Sequence, residues 1–168
     1  VVDEVLDAYA LDRHRCLLDL GGGDGRFATS AAQRWPTLQV QVFDLPAVAE
    51  LARRRFADAG LGQRATANGG DFLQDALPKG ADVISLIRVL HDHDDERVMK
   101  ILRAARAALP DSGSLLVAEP LSGTAGAEAM ADAYFGFYLL AMGRGQARRP
   151  AQLAAMLESA GFTPPRLT

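Results

Sequence analysis

A short apolar run, Cys16-Leu17-Leu18-Asp19-Leu20, breaks into Gly21-Gly22-Gly23-Asp24-Gly25 and passes at once into residues with helical spacing. A buried strand that turns into a helix through glycines is the opening unit of a parallel sheet, because parallel strands need a crossover to return. The rest of the chain repeats that unit. A helix from Asp24 to Trp35 closes at Pro36, and Leu38 to Phe43 alternates before ending at Asp44. Pro46 suits the first turn of a helix with the stripe Val48, Leu51, Ala52, Phe56 and Ala59, and Gly60 terminates it. Residues 64–68 predict a weak strand ahead of Gly69-Gly70-Asp71-Phe72, and Ala81 to Leu90 predicts a strand covered on both faces. Asp94 caps a helix over 95–109 that buries Val98, Ile101, Leu102, Ala105 and Leu109. Ser114 to Glu119 predicts another buried strand. Further helices are expected at residues 1–11, from Ala127 to Met142 and from Pro150 to Ala160, with a sixth strand opening at Phe162. The class is α/β: a mostly parallel sheet with helices on both faces.

Composition narrows the partners. The chain has 168 residues, with 18 Lys+Arg against 21 Asp+Glu. That length suits one domain, and a formal charge of −3 excludes a general nucleic-acid surface. Cys16 is the single cysteine, so no internal disulfide forms and a reducing, cytoplasmic setting is expected. The uncharged run Ala133 to Gly143 is too short to span a bilayer. The start, Val1-Val2-Asp3-Glu4, has no secretory character and no initiator Met, so the chain reads as trimmed. Arginine far outnumbers lysine, and Arg53-Arg54-Arg55 and Arg148-Arg149 read as solvated faces.

In such sheets the ligand lies beyond the carboxyl ends of the strands. The glycine loop is not a phosphate loop, since no Gly-Lys-Ser/Thr follows, and Arg26 stands where a dinucleotide fingerprint needs its third glycine. Alone, it is equally a plain turn. Asp44 changes the balance: it follows by about 20 residues, the distance at which an acid reaches a ribose diol, and a carboxylate accepts two hydroxyl protons at once. Asp71 ends the third strand, with Phe72 available to pack on a flat ring, and Asp19 is placed to receive a cationic amino group. These groups describe a pocket for a nucleoside without phosphate, which suits S-adenosylmethionine better than a nicotinamide.

A second constellation is Arg88-Val89-Leu90-His91-Asp92-His93-Asp94-Asp95. A zinc site on His91, His93 and Asp95 would need more histidines, and only His14 remains. No metal is expected. The plain reading is a polar loop ending in a helix cap. The catalytic reading makes His91 a general base, with Glu119 accepting its other N–H to hold the tautomer.

Asp19-Leu-Gly-Gly-Gly-Asp-Gly25, Val42-Phe-Asp-Leu-Pro46, Gly70-Asp-Phe72, Arg88-Val-Leu-His-Asp92 and Leu116-Val-Ala-Glu119 resemble the successive motifs of S-adenosylmethionine-dependent small-molecule O-methyltransferases. The resemblance runs from about Val5 to Phe162 and implies a Rossmann-like methyltransferase fold. Arg88 to Asp95 and Asp132 to Gly145 are similar to the carotenoid-modifying branch of that family. Carried over, Gly21 and Gly23 line the methionine part of the cofactor and Asp44, with Leu45 beside it, the ribose. Asp71 and Phe72 take the adenine, Arg88 lies near the carboxylate, and His91 is the base. His93 stands where relatives have Trp. Gln146-Ala147-Arg148-Arg149 lacks the second glutamate that relatives place before an Arg-Thr pair.

The resemblance also implies a linker helix at 1–12, a catalytic domain at 13–168, and a missing N-terminal domain that dimerises and closes the acceptor pocket. It implies a missing C-terminal edge strand as well. The expected acceptor is a hydroxylated carotenoid held along Tyr134, Phe135, Phe137, Tyr138, Leu139 and Met142, and collected through transient contact with a membrane surface. An aromatic or polyketide phenol is the alternative acceptor, and a weakly catalytic binding domain the alternative role. The chain as given is expected to bind cofactor and to turn over poorly.

Overall fold

The computed structural model describes residues 1–121 and 145–166. The helix expected from Ala127 to Met142, with the aromatic wall placed on it, lies outside the described residues. Strands β1 (Cys16–Leu20), β2 (Gln39–Asp44), β3 (Ala65–Gly69), β4 (Val83–Ile87) and β5 (Ser114–Ala118) form one sheet in the order β3-β2-β1-β4-β5. Every pairing is parallel. Helices α1 (Val2–Ala8), α2 (Arg26–Arg34), α3 (Pro46–Asp58), α4 (Asp95–Ala108) and α5 (Pro150–Ser159) cover it, and a 3-10 turn spans Leu90–Asp92.

Alternation along the strands sorts the core into two layers. Leu17, Val40, Val42, Ala65 and Ala67 face Leu6, Phe27, Ala31, Ala52 and Phe56 of α1, α2 and α3. Leu18, Leu20, Ile84 and Leu86 face Val98, Ile101, Leu102 and Ala105 of α4 and Leu153 and Leu157 of α5. A sheet buried on both sides explains why β1 and β4 read as near-continuous apolar runs, interrupted only by Asp19 and Ser85. Register places Asp19 of β1 beside Ser85 of β4. Strand order reverses between β1 and β4, so the crevice of this sheet opens there.

Several boundaries and faces differ from expectation. Helix α2 begins at Arg26, because Gly25 is left-handed with φ 81° and still belongs to the loop. Leu51 does not join the α3 stripe; it is 51% exposed, and Ala49, Ala52 and Phe56 are the buried set. Small alanines at the contact let α3 lie close to the sheet, and the rotation that seats Phe56 turns Leu51 outward. Strand β5, at one edge of the described sheet, is half-buried along its length. Residues 162–166 form no strand. Arg148 is no solvated residue: it is 4% exposed. Arg55 is half-buried, pairing with the Asp24 carboxylate and donating from Nε to the Asp24 carbonyl at 3.0 Å. Among the described residues no helix is long and apolar enough to cross a membrane.

Candidate active site

The loop leaving β1 is tied to the end of β2. Gly21 N donates to the Phe43 carbonyl at 2.8 Å, and Gly23 N donates to Asp44 Oδ2 at 2.8 Å. Asp44 Oδ1 accepts from Leu45 N at 2.7 Å, leaving Leu45 exposed at the strand end. Each carboxylate oxygen has capacity to accept a second hydrogen bond. Gly21 is left-handed at φ 69°, and a Cβ there would stand 2.9 Å from Val89 Cγ2 and 3.7 Å from Phe72 Cε1. At Gly22 a Cβ would stand 2.7 Å from Asp19 Oδ2. The glycines therefore leave space between the buried carboxyl, Val89 and Phe72 that any other residue would fill.

Asp19 is 1% exposed, and Ser85 Oγ donates to its Oδ1 at 2.7 Å. Burial pushes its carboxyl up to about 7; the Ser85 hydrogen bond opposes that shift and the Asp44 charge adds to it. A buried acid held in this way gains most from a cation placed beside it.

Asp71 behaves differently from the simple expectation. Its Oδ1 accepts from Leu73 N at 2.9 Å and its own N–H donates to Asp75 Oδ2 at 2.8 Å, so the side chain shapes the turn after β3. That turn presents Phe72, whose ring meets His93 edge-on at 5.7 Å between centroids. Burial holds His93 below the usual histidine range, against the pull of the neighbouring Asp92 charge. Arg88 is exposed at the end of β4, in the left-handed region at φ 57°, where a non-glycine residue is strained. Its N–H donates to the Ala118 carbonyl at 2.7 Å.

His91 and Glu119 are brought together. His91 is 4% exposed, and its Nδ1 lies 2.9 Å from Glu119 Oε2. The other carboxylate oxygen, Oε1, accepts from Val89 N at 2.7 Å and Leu90 N at 2.6 Å. Glu119 thus ties down the start of the 3-10 turn and the ring it carries. A carboxylate on Nδ1 fixes the hydrogen there and puts the basic lone pair on Nε2. On that side Asp92 Oδ1 stands 3.2 Å from Nε2 without forming a hydrogen bond. A proton arriving on Nε2 would meet a carboxylate. Asp95 is turned away from both histidines toward Arg148, and no group of three or more metal-ligating side chains gathers among the described residues.

Three contributors escaped the sequence reading. Ser85 had one signal, a hydroxyl inside an otherwise apolar strand. Asp92 had only its adjacency to His91. Arg148 had none.

The O-methyltransferase domain profile matches residues 1–163, and the chain belongs to that family. It is 44% identical over 163 residues to the demethylspheroidene O-methyltransferase of Cereibacter sphaeroides, covering 97% of this chain and 43% of that protein. The mitomycin 7-O-methyltransferase MmcR superimposes with a TM-score of 0.89 at 32% identity, over 95% of this chain and 46% of that one. Human N-acetylserotonin methyltransferase, solved in complex with S-adenosylmethionine, does so with a TM-score of 0.85 at 31% identity, over 96% and 46%. The chain spans less than half the length of each.

The family's cofactor is S-adenosylmethionine. The crevice suits it on chemical grounds: a cation beside the buried Asp19, whose carboxyl is lifted to about 7, would favour its ionised form, and glycines keep the neighbouring space clear.

Proposed function

We propose that the protein methylates a hydroxyl group of a small lipophilic acceptor, a hydroxylated carotenoid, with S-adenosylmethionine as donor and His91 as general base. The observation that carries this reading is the buried His91–Glu119 pair at the crevice, 2.9 Å apart, beside a glycine loop lined by Asp19 and Asp44. The carotenoid assignment draws support from the 44% identity to a demethylspheroidene O-methyltransferase.

Bound S-adenosylmethionine supplies a methyl group made electrophilic by its sulfonium. Asp19 receives the amino group, Gly21 and Gly23 border the methionine chain, and Arg88 meets the carboxylate. Asp44 accepts from the ribose hydroxyls with Leu45 alongside, while Asp71 and Phe72 frame the adenine. With the cofactor bound, His91 Nε2 would take the acceptor's hydroxyl proton as the oxygen bonds to the methyl carbon in line and the methyl–sulfur bond breaks, releasing the neutral thioether S-adenosylhomocysteine. Glu119 holds the ring and offsets the positive charge that develops on it. Alignment of the two reactants supplies most of the acceleration. The reading includes a helical N-terminal domain ahead of the linker helix, which spans Val2–Ala8 and stops at Tyr9 rather than running through 1–12; that domain forms the acceptor pocket's other wall and the homodimer contact.

Labelled S-adenosylmethionine incubated with demethylspheroidene and, separately, with N-acetylserotonin tests the acceptor class. Faster transfer to the carotenoid is expected, and transfer to the phenol alone would replace the carotenoid assignment. Asp44→Ala tests the cofactor geometry. Loss of the diol contacts, and of the anchor on Gly23 N, is expected to weaken binding by about 1–3 kcal/mol in calorimetry. Unchanged affinity would remove Asp44 from the site.

A further inference from the structure

Arg148 is a buried cation whose shortest hydrogen bonds run to partners more than fifty residues away in sequence, besides a 3.5 Å contact to the Gln146 carbonyl. Its Nη1 donates to the Leu90 carbonyl at 3.0 Å and its Nη2 to the His93 carbonyl at 2.7 Å. Its Nε donates to Asp95 Oδ1 at 2.9 Å, and the same oxygen lies 2.8 Å from Nη2. Those partners surround the 3-10 turn that carries His91, gripping it before and after the histidine and at the first residue of α4. Gln146 reinforces the grip, donating from its backbone N to the His91 carbonyl at 2.9 Å and from Nε2 to Asp95 Oδ1 at 2.7 Å.

We infer that Arg148 is a positioning residue for catalysis, acting through His91. This inference rests on His91 being the base.

A 3-10 turn of three residues has few hydrogen bonds of its own and is a weak support for a catalytic ring. Glu119 fixes the turn from one side through the amides of Val89 and Leu90 and through Nδ1. Arg148 fixes it from the other through the carbonyls. Donors and acceptors of the turn are thus held separately, by an anion and by a cation, and the imidazole is set between two rigid anchors. A planar guanidinium serves here because its N–H groups diverge in one plane and reach acceptors several ångströms apart, whereas an ammonium offers its three donors from a single nitrogen. Burial of the charge is tolerated because Asp95 neutralises it and the carbonyls solvate it. Neither Arg148 nor Gln146 needs to touch the acceptor for this effect, since a small misplacement of a base costs turnover without costing binding.

The test is a double-mutant cycle in the active protein, with labelled S-adenosylmethionine and demethylspheroidene. Arg148→Gln is expected to lower kcat about 10–100-fold while acceptor KM and cofactor Kd stay within about twofold. Arg148→Lys should recover part of the loss by keeping the charge on Asp95. In a His91→Ala background, Arg148→Gln should change kcat by less than about twofold, because the residue it serves is gone. An undiminished effect there, or wild-type kcat in Arg148→Gln alone, overturns the positioning role. Should Arg148→Gln fail to bind cofactor, Asp95→Asn keeps the test open, since that exposed change loosens the same anchor. It should lower kcat more weakly and only when His91 is present; wild-type kcat in Asp95→Asn would then count against the role. His91→Ala turning over at the wild-type rate is a separate outcome, which overturns the base assignment itself.

Discussion

Replacing His91 with alanine is expected to reduce turnover about 10²–10⁴-fold, with cofactor affinity nearly unchanged. The ring is buried, its Nδ1 is held 2.9 Å from Glu119, and the atoms nearest a Cβ at Gly21, Gly22 or Gly25 belong to other residues. Loss of the base therefore appears in kcat and not in cofactor binding. Glu119→Gln should show a smaller loss of the same kind. An amide can still accept from Val89 N and Leu90 N, but it cannot balance an imidazolium. Single-turnover rates on demethylspheroidene separate the two effects from product release. A wild-type rate in His91→Ala would mean that alignment alone drives transfer.

Asp19→Asn should have opposite effects on stability and on binding. The folded carboxyl is held at about 7 against an ordinary value of 3.8, chiefly by burial. Between those values the folded state keeps a proton that the unfolded state has released, so stability falls as pH rises through that window. The loss levels off about one unit above the folded value. The cofactor-free Asn variant should therefore be more stable than wild type by roughly 2–4 kcal/mol at pH 8, and close to it at pH 4. Denaturant unfolding at the two pH values measures the difference. Cofactor binding should respond in reverse. A cationic amino group favours the ionised carboxyl, so wild-type affinity should strengthen from pH 6 to pH 8 with release of a proton. The Asn variant should bind about 10–100-fold more weakly and lose that pH dependence, because the charge pair is absent. Calorimetry in buffers of different ionisation enthalpy counts the proton. A stability gain that is the same at both pH values would show that Asp19 is not the titrating group.

Among the described residues, strands and helices were legible wherever the signal was local. The break after Leu20, the cap at Asp94 and the stripe of α4 depend on near neighbours in the chain, and the structure has all three. The Asp94 carboxylate accepts from Arg97 N at 3.0 Å, as a cap should. Motif order also located the ends of the strands, and so placed Asp19, Asp44, His91 and Glu119 along one crevice before any register was known. The face of α3 was not legible. Leu51 and Ala49 both fit a helical period, and only the seat of Phe56 on the sheet decides which is covered. The pairing of Asp19 with Ser85 likewise waits on the β1–β4 register, across sixty-six residues of sequence. Arg148 marks the furthest reach of tertiary structure. Arginine beside arginine near a helix start reads as solvent-facing charge, because its local neighbours offer it no more than the Gln146 carbonyl at 3.5 Å. Its acceptors are carbonyls of a turn more than fifty residues away, and only the packing of α5 against α4 brings that turn over it.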